Sequence, residues 1–220
     1  MYQRFFKHIF DFFLALIAIL FLWPMFLLIT LAIRLDSEGP VLFKQKRVGY
    51  HGRLFFINKF RTMVRNAEEI KKNFMKFNEA DGPVFKIKKD PRFTRVGRFL
   101  AQTGLDELPQ LINVLRAEMS LVGPRPLPID EENVISSHIR YPRQEVVPGM
   151  TSPWVILGSH RLSFHRWMNL DLQYIRTICF YRDFYILWKT LKIVVCAVYR
   201  SIFKCETSFP RSTSASCNSG

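Results

Sequence analysis

Three features of the sequence predict an α+β fold that is mostly helical, with an N-terminal membrane helix, a small β-hairpin and amphipathic interfacial helices. They are a charge-free apolar run over residues 12–29, two basic alternating runs around a Gly-Tyr-His-Gly turn at 49–52, and a lysine-punctuated apolar segment at 184–204. The 220 residues suit one domain with a sizeable core, and 49 % hydrophobic content excludes a disordered chain. A net charge of +14 implies an anionic partner: nucleic acid, an anionic lipid surface or a phosphorylated substrate. The 21 phenylalanines point toward lipid. Cys179, Cys196, Cys205 and Cys217 show no metal-ligand or disulfide spacing, which favours a reducing compartment. Neither a P-loop nor a G-x-G-x-x-G is present, so any nucleotide is bound by other means.

The apolar envelope runs from Ile9 to Ile33, and no small-residue cleavage site follows it, which argues against a signal peptide. Pro24 removes one backbone donor and predicts a kink. At 1.5 Å per residue the arms on either side are about 22 and about 15 Å long, each short of a hydrocarbon core of roughly 30 Å. Arg4 and Lys7 precede the run while Arg34, Lys44, Lys46 and Arg47 follow it, so both flanks favour the cytoplasm. Two readings fit these residues: a helix that dips in and returns, leaving Met1 and Arg34 on one side, or a proline-kinked spanning helix.

From Gly39 to Ala67 the chain has no acid and seven Lys or Arg, and the two halves around the turn read as a hairpin. These cations suit either lipid headgroups or a phosphorylated ligand. Residues 63–80 predict a helix with a solvated face, and Asp90-Pro91-Arg92 opens a second basic cluster. Leu108, Leu111, Ile112 and Leu115 fall at helical spacing, with Pro109 in the first turn, which places Asp106 and Glu107 at a helix N-terminus. Acids there commonly cap the helix. Beside Lys59, Arg61 and the Arg125 of a Gly-Pro-Arg-Pro turn, they equally suit metal and phosphate chemistry. Residues 162–175 and 184–204 predict two further helices, the second in the plane of a membrane interface, and 206–220 a disordered tail.

Taken together, Lys59-Phe60-Arg61-Thr62-Met63, Leu105-Asp106-Glu107-Leu108-Pro109-Gln110-Leu111 and Ser120-Leu121-Val122-Gly123-Pro124-Arg125-Pro126 resemble the bacterial sugar transferases, the monotopic phosphoglycosyl transferases. Asp90-Pro91-Arg92 and Asn113-Val114-Leu115 are further landmarks, Asp171-Leu172 with Tyr174-Ile175 and Leu191-Lys192-Ile193 add weaker support, and the likeness covers Arg4 to about Val195. The resemblance implies transfer of a sugar 1-phosphate from a UDP-sugar to a polyprenol (undecaprenyl) phosphate, the step that initiates exopolysaccharide, O-antigen (lipopolysaccharide), capsule or glycoprotein glycan assembly. It implies Asp106 as covalent nucleophile in a ping-pong reaction, Glu107 as its partner, Mg²⁺ at the pair, and Lys59, Arg61 and Arg125 on the donor phosphates. It also implies a re-entrant helix broken at Pro24 and a bacterial inner-membrane location, with the catalytic part on the cytoplasmic face. The expected organisation is a membrane helix at 1–35, a membrane-associated catalytic domain at 36–205 and a tail at 206–220. Longer relatives carry a block of transmembrane helices ahead of this unit, so the chain reads as the minimal catalytic form.

Four positions depart from the family pattern. Ala101 stands where Arg is usual, and Ser152, Val155 and Ser159 replace Gly, Gln and Arg in the stretch after Pro148-Gly149. These departures bear on donor specificity, and they leave a non-catalytic scaffold relative as one alternative. A membrane-tethered basic protein that binds anionic lipid or nucleic acid is the other; the resemblance predicts no nucleic-acid partner. Oligomeric state, the sugar and the glycan are not legible.

Overall fold

A computed structural model describes residues 2, 6–79, 82–85, 87, 90–158 and 162–203. The expected tail, Arg4 and Ser159 lie outside these residues. Helix α1 spans Lys7–Asp36 and runs through Pro24 without ending there. Proline is tolerated inside a helix that has other ways to meet its freed carbonyl. The charge-free stretch makes this helix long and apolar enough to cross a membrane.

One stripe of α1 is buried and the rest is bare. Lys7, Asp11, Ala15, Ile29 and Ile33 are buried, spaced so that they share one face. Between them, Leu14, Ala18 and Ile19 pack on a cluster containing Phe55, Leu111, Val114 and Tyr174. Met25 and Phe26 pack on a second cluster with Phe60 and Leu100. Both helix ends are also tied to this body. Lys7 Nζ lies 2.6 Å from Asp183, and Ser120 donates its hydroxyl to Asp11 at 2.5 Å. At the other end the Val96 amide donates to Asp36 at 3.0 Å. The opposite face exposes Leu20, Phe21, Trp23, Leu27 and Leu28, each more than half accessible.

The hairpin forms where alternation and turn placed it. Strands β1 (Leu42–Val48) and β2 (Leu54–Phe60) pair antiparallel, with Phe43 opposite Lys59 and Val48 opposite Leu54. The expected helix at 63–80 is shorter, α2 at Ala67–Phe74 followed by a 3₁₀ turn, and it buries no side chain, as its mixed charge predicted. Helix α3 (Arg95–Thr103) is capped by Thr94, whose hydroxyl accepts from the Gly97 amide.

After α3 the structure differs from the expected amphipathic helix. Leu105–Gln110 form a 3₁₀ turn that contains Pro109, and only Leu111–Leu115 (α4) are α-helical. Pro109 lacks the donor an α-helix would use and disfavours α geometry at Leu108, so the segment tightens instead. Strand β3 (Ser120–Val122) then pairs in parallel with β4 (Gly149–Thr151). Between them lie α5 (Ile129–Asn133) and α6 (Ser137–Gln144). Short α7 (Pro153–Ile156), α8 (Phe164–Arg176) and α9 (Phe180–Phe203) complete the described chain. Helix α9 buries only Asp183 and Ile186 and exposes Phe184, Trp188 and Leu191 among other apolar side chains.

Candidate active site

Four of the predicted site residues converge: Lys59, Asp106, Glu107 and Arg125. Lys59 comes from the end of β2, the acids from the 3₁₀ turn, and Arg125 from the loop leaving β3. Lys59 Nζ sits 2.6 Å from Glu107 Oε1 and 3.9 Å from Asp106 Oδ2. Arg125 reaches the same Glu107 oxygen at 2.9 Å.

Local structure explains the convergence. Gly104 closes α3 in the left-handed conformation at φ 77°, which a residue with a Cβ adopts only under strain, and the 3₁₀ turn starts from it. Neither acid caps an α-helix here. Asn113, wholly buried in α4, locks the turn onto β2. It accepts from the Asn58 amide at 3.1 Å and donates to the Phe56 carbonyl at 2.7 Å, which fixes the acids against Lys59. On the other side the Gly149 amide donates to the Pro124 carbonyl, holding the turn that carries Arg125. A Cβ on Gly149 would collide with Gly123, so these two backbones meet only because both are glycine.

The two acids have opposite environments. Burial raises Asp106 to about 6, only partly offset by Lys59. Glu107, although buried, is held far below the usual carboxylate range by Arg125 and Lys59. Neighbouring carboxylates with separated ionisation suit separate tasks. Among the described residues no three His, Cys, Asp or Glu side chains form a metal-holding group. Two adjacent carboxylates are nonetheless a suitable protein share for Mg²⁺, which commonly takes its remaining oxygens from substrate phosphates and water.

Arg61 makes its hydrogen bonds away from this group. It is buried, and its guanidinium donates to the carbonyls of Glu38 and Ser37 and to the Ser37 hydroxyl, closing the C-terminal end of α1. Strand alternation puts it on the same face as Lys59, but the chain leaving α1 engages both terminal nitrogens of its guanidinium, while the buried Nε has no partner. A Cβ on Gly39 would strike this guanidinium, so the crossing depends on that glycine.

Several supporting residues escaped the sequence reading. Arg47 donates to the Pro126 carbonyl at 3.1 Å, and burial beside Arg125 lowers its pKa to about 10. Arg143 donates to Glu132 at 3.0 Å, to Asp171 at 3.1 Å and to the Arg125 carbonyl at 2.7 Å. The Arg47 signal was present in the basic hairpin; that of Arg143 was not. Of the departing positions, Ser152 is buried with a hydroxyl that has no hydrogen-bond partner.

Comparison with known proteins fits this geometry. The model of the bacterial sugar transferase family matches residues 2–197. The chain is 43 % identical over 164 residues to the galactosyl transferase CpsE of Streptococcus agalactiae, covering 74 % of this chain and 36 % of that protein. It is 37 % identical over 201 residues to an undecaprenyl-phosphate galactose phosphotransferase of Salmonella typhimurium, covering 88 % of this chain and 41 % of the relative. It therefore spans well under half the length of these two. The exopolysaccharide production protein ExoY of Rhizobium meliloti is 37 % identical over 193 residues, covering 86 % of this chain and 84 % of that protein. Matched over nearly its whole length, the chain belongs to the bacterial sugar transferase family.

Proposed function

We propose that this protein is a phosphoglycosyl transferase that moves a sugar 1-phosphate from a UDP-sugar to a polyprenol phosphate through a covalent intermediate on Asp106. The observation that carries the reading is the asymmetry of the acid pair. Glu107 pairs with both cations at 2.6 and 2.9 Å, whereas among the described residues the Asp106 carboxylate has no ion pair closer than 3.9 Å, to Lys59. The names of relatives add the chemistry: one is an undecaprenyl-phosphate galactose phosphotransferase and another an undecaprenyl-phosphate glucose phosphotransferase.

In the first step a carboxylate oxygen of Asp106 attacks the sugar-bearing phosphorus, and the bond to the bridging oxygen breaks, releasing UMP. A polyprenol phosphate oxygen then attacks the same phosphorus, the bond between the Asp106 oxygen and phosphorus breaks, and Asp106 regains its carboxylate. With a pKa near 6, Asp106 is mostly ionised at neutral pH and more basic than an ordinary aspartate. Lys59 and Arg125 offset the repulsion between carboxylate and diphosphate. Glu107 stays ionised, which suits holding an ion better than carrying a proton. Mg²⁺ held by Asp106 and Glu107 would supply charge neutralisation at the diphosphate. Arg61, closing α1, is left out of phosphate binding in this reading.

The same proposal places α1 as a re-entrant helix. A body gripping both ends and one whole stripe of the helix leaves its bare apolar face for lipid, with Pro24 at the bend. The exposed apolar face of α9 would lie in the interface beside it, at the cytoplasmic side of the inner membrane. In a background without native cysteines, probes at positions 2 and 36 should both resist labelling from the periplasm; labelling of one alone rejects re-entry. For the chemistry, a panel of UDP-sugars is supplied with polyprenol phosphate and UMP release is followed. Donor alone should release about one equivalent of UMP and leave sugar phosphate on the protein. Wild-type protein that turns over no donor overturns the reading.

A further inference from the structure

An aromatic ladder ends on Arg125 and is not used by the chemistry above. The Arg125 guanidinium lies over the Trp154 ring, 5.9 Å from its centroid. Trp154 is stacked in turn on Trp167, with centroids 4.4 Å apart and planes 19° from parallel. Phe164 meets Trp167 edge-on at 5.7 Å, and Trp167 is buried in a cluster with Leu127 and Met168. The ladder is therefore rooted in the core at one end and faces a site cation at the other. Arg125 is gripped at three places: its carbonyl by Arg143, its guanidinium edge by Glu107, and its guanidinium face by Trp154.

We propose that Trp154 is a positioning residue, which sets the plane of the Arg125 guanidinium toward Glu107 and the donor phosphates through its ring face. The inference rests on the proposed function for the role of Arg125, but the contact itself does not. A planar fork must be oriented to make parallel hydrogen bonds, and a long exposed side chain otherwise samples many rotamers. A cation held against a ring face loses that freedom before substrate arrives. Trp167 behind the ring keeps Trp154 from tilting away.

Two measurements test it. In protein labelled on arginine, the Arg125 side-chain protons are identified by their loss in Arg125→Lys. They should be displaced upfield by the ring current, and Trp154→Leu should return them to ordinary positions. In turnover assays Trp154→Leu should lower kcat about tenfold with donor KM changed less than about threefold, and Trp154→Phe, which keeps a ring face, should recover at least about a third of kcat. In an Arg125→Ala background the Trp154→Leu penalty should shrink to less than about twofold, because a residue acting through Arg125 has nothing left to position. Should Leu not fold, Phe is compared in the same two backgrounds, where its smaller penalty must likewise vanish. An equal penalty in both backgrounds, or Arg125 protons unmoved by the substitution, overturns the proposal. If the wild type turns over no donor, the proposed function fails, and the arginine resonances alone decide whether Trp154 holds Arg125.

Discussion

Among the described residues, two of the clusters that bring a pair of carboxylates to basic side chains do opposite things with them. In the first, Asp106 and Glu107 meet Lys59 and Arg125, with side chains between 13 % and 28 % exposed. In the second, Glu132 and Asp171 meet Arg143, with side chains between 0 % and 5 % exposed. Burial raises one aspartate in each to about 6. A raised carboxylate therefore does not mark a site by itself. What separates them is access: the Asp106 side chain keeps 13 % of its surface exposed, whereas Asp171 has none exposed and pairs with Arg143 Nε.

The comparison breaks most visibly through substitution of the two aspartates. Asp106→Asn should lower turnover by about a thousandfold or more and abolish the adduct formed with donor alone, while the protein still folds. Asp171→Asn should keep the adduct and most of the turnover. Nucleotide release and intact-protein mass measure both. An Asp106→Asn enzyme working near the wild-type rate would make the pair structural, like its buried counterpart.

Stability should reverse that ranking. Arg143→Met leaves two buried carboxylates without their cation, and denaturant unfolding in detergent should show a loss of about 3–5 kcal/mol. Lys59→Met, at the more open cluster, should cost about 1 kcal/mol or less. Comparable losses at both would mean that the first cluster is as much a fold element as the second.

Titration sharpens the contrast further. In magnesium-free buffer the folded chain holds a proton on Asp106 and Asp171 up to about pH 6, whereas an unfolded aspartate releases its own near 4. The folded state then binds more protons across that window, so stability is greatest at its acid end and falls as pH rises through it. Glu107, held low, acts in the other direction at more acid pH. Asp171→Asn should remove one share of the slope. In that variant Mg²⁺ should remove the other, because an ion at the pair stabilises the Asp106 carboxylate. A slope indifferent to Mg²⁺ would show that the pair does not hold the ion.

Legibility in the sequence followed the range of the interactions. The hairpin was readable because alternation and a four-residue turn are local signals, and its register needs nothing from elsewhere. Asp106, Glu107, Lys59 and Arg125 stood out through their motifs and through charge in an otherwise apolar context. Arg61 sits in the same motif as Lys59, yet its use depends on where α1 ends, which a strand pattern does not encode. Arg143 and Glu132 were invisible, and Asp171 showed only as part of a motif, because residues 11 and 28 positions apart meet only after α5, α6 and α8 have packed. Trp154 read as part of a departing stretch, and only the stacking order shows that it faces Arg125. The turn at Pro109 was misjudged because apolar spacing fits both an α-helix and a 3₁₀ turn leading into one.

The smallest expected effect isolates backbone placement from chemistry at the open cluster. Gly104 takes φ 77°, and a Cβ there would meet only Val194 Cγ2 at 4.0 Å, so there is room for a methyl group. Gly104→Ala therefore tests conformation rather than collision, and left-handed geometry should cost about 1 kcal/mol in unfolding experiments. The chain can recover part of that cost by relaxing φ, which would shift the turn carrying Asp106 and Glu107. Turnover should then fall several-fold while donor alone still yields a covalent adduct with near one equivalent of UMP, since the nucleophile is intact and only misaligned. A variant that loses the stated stability but none of its turnover would show that the turn is held by Asn113 and Lys59 alone. Gly104 would then serve only to end α3.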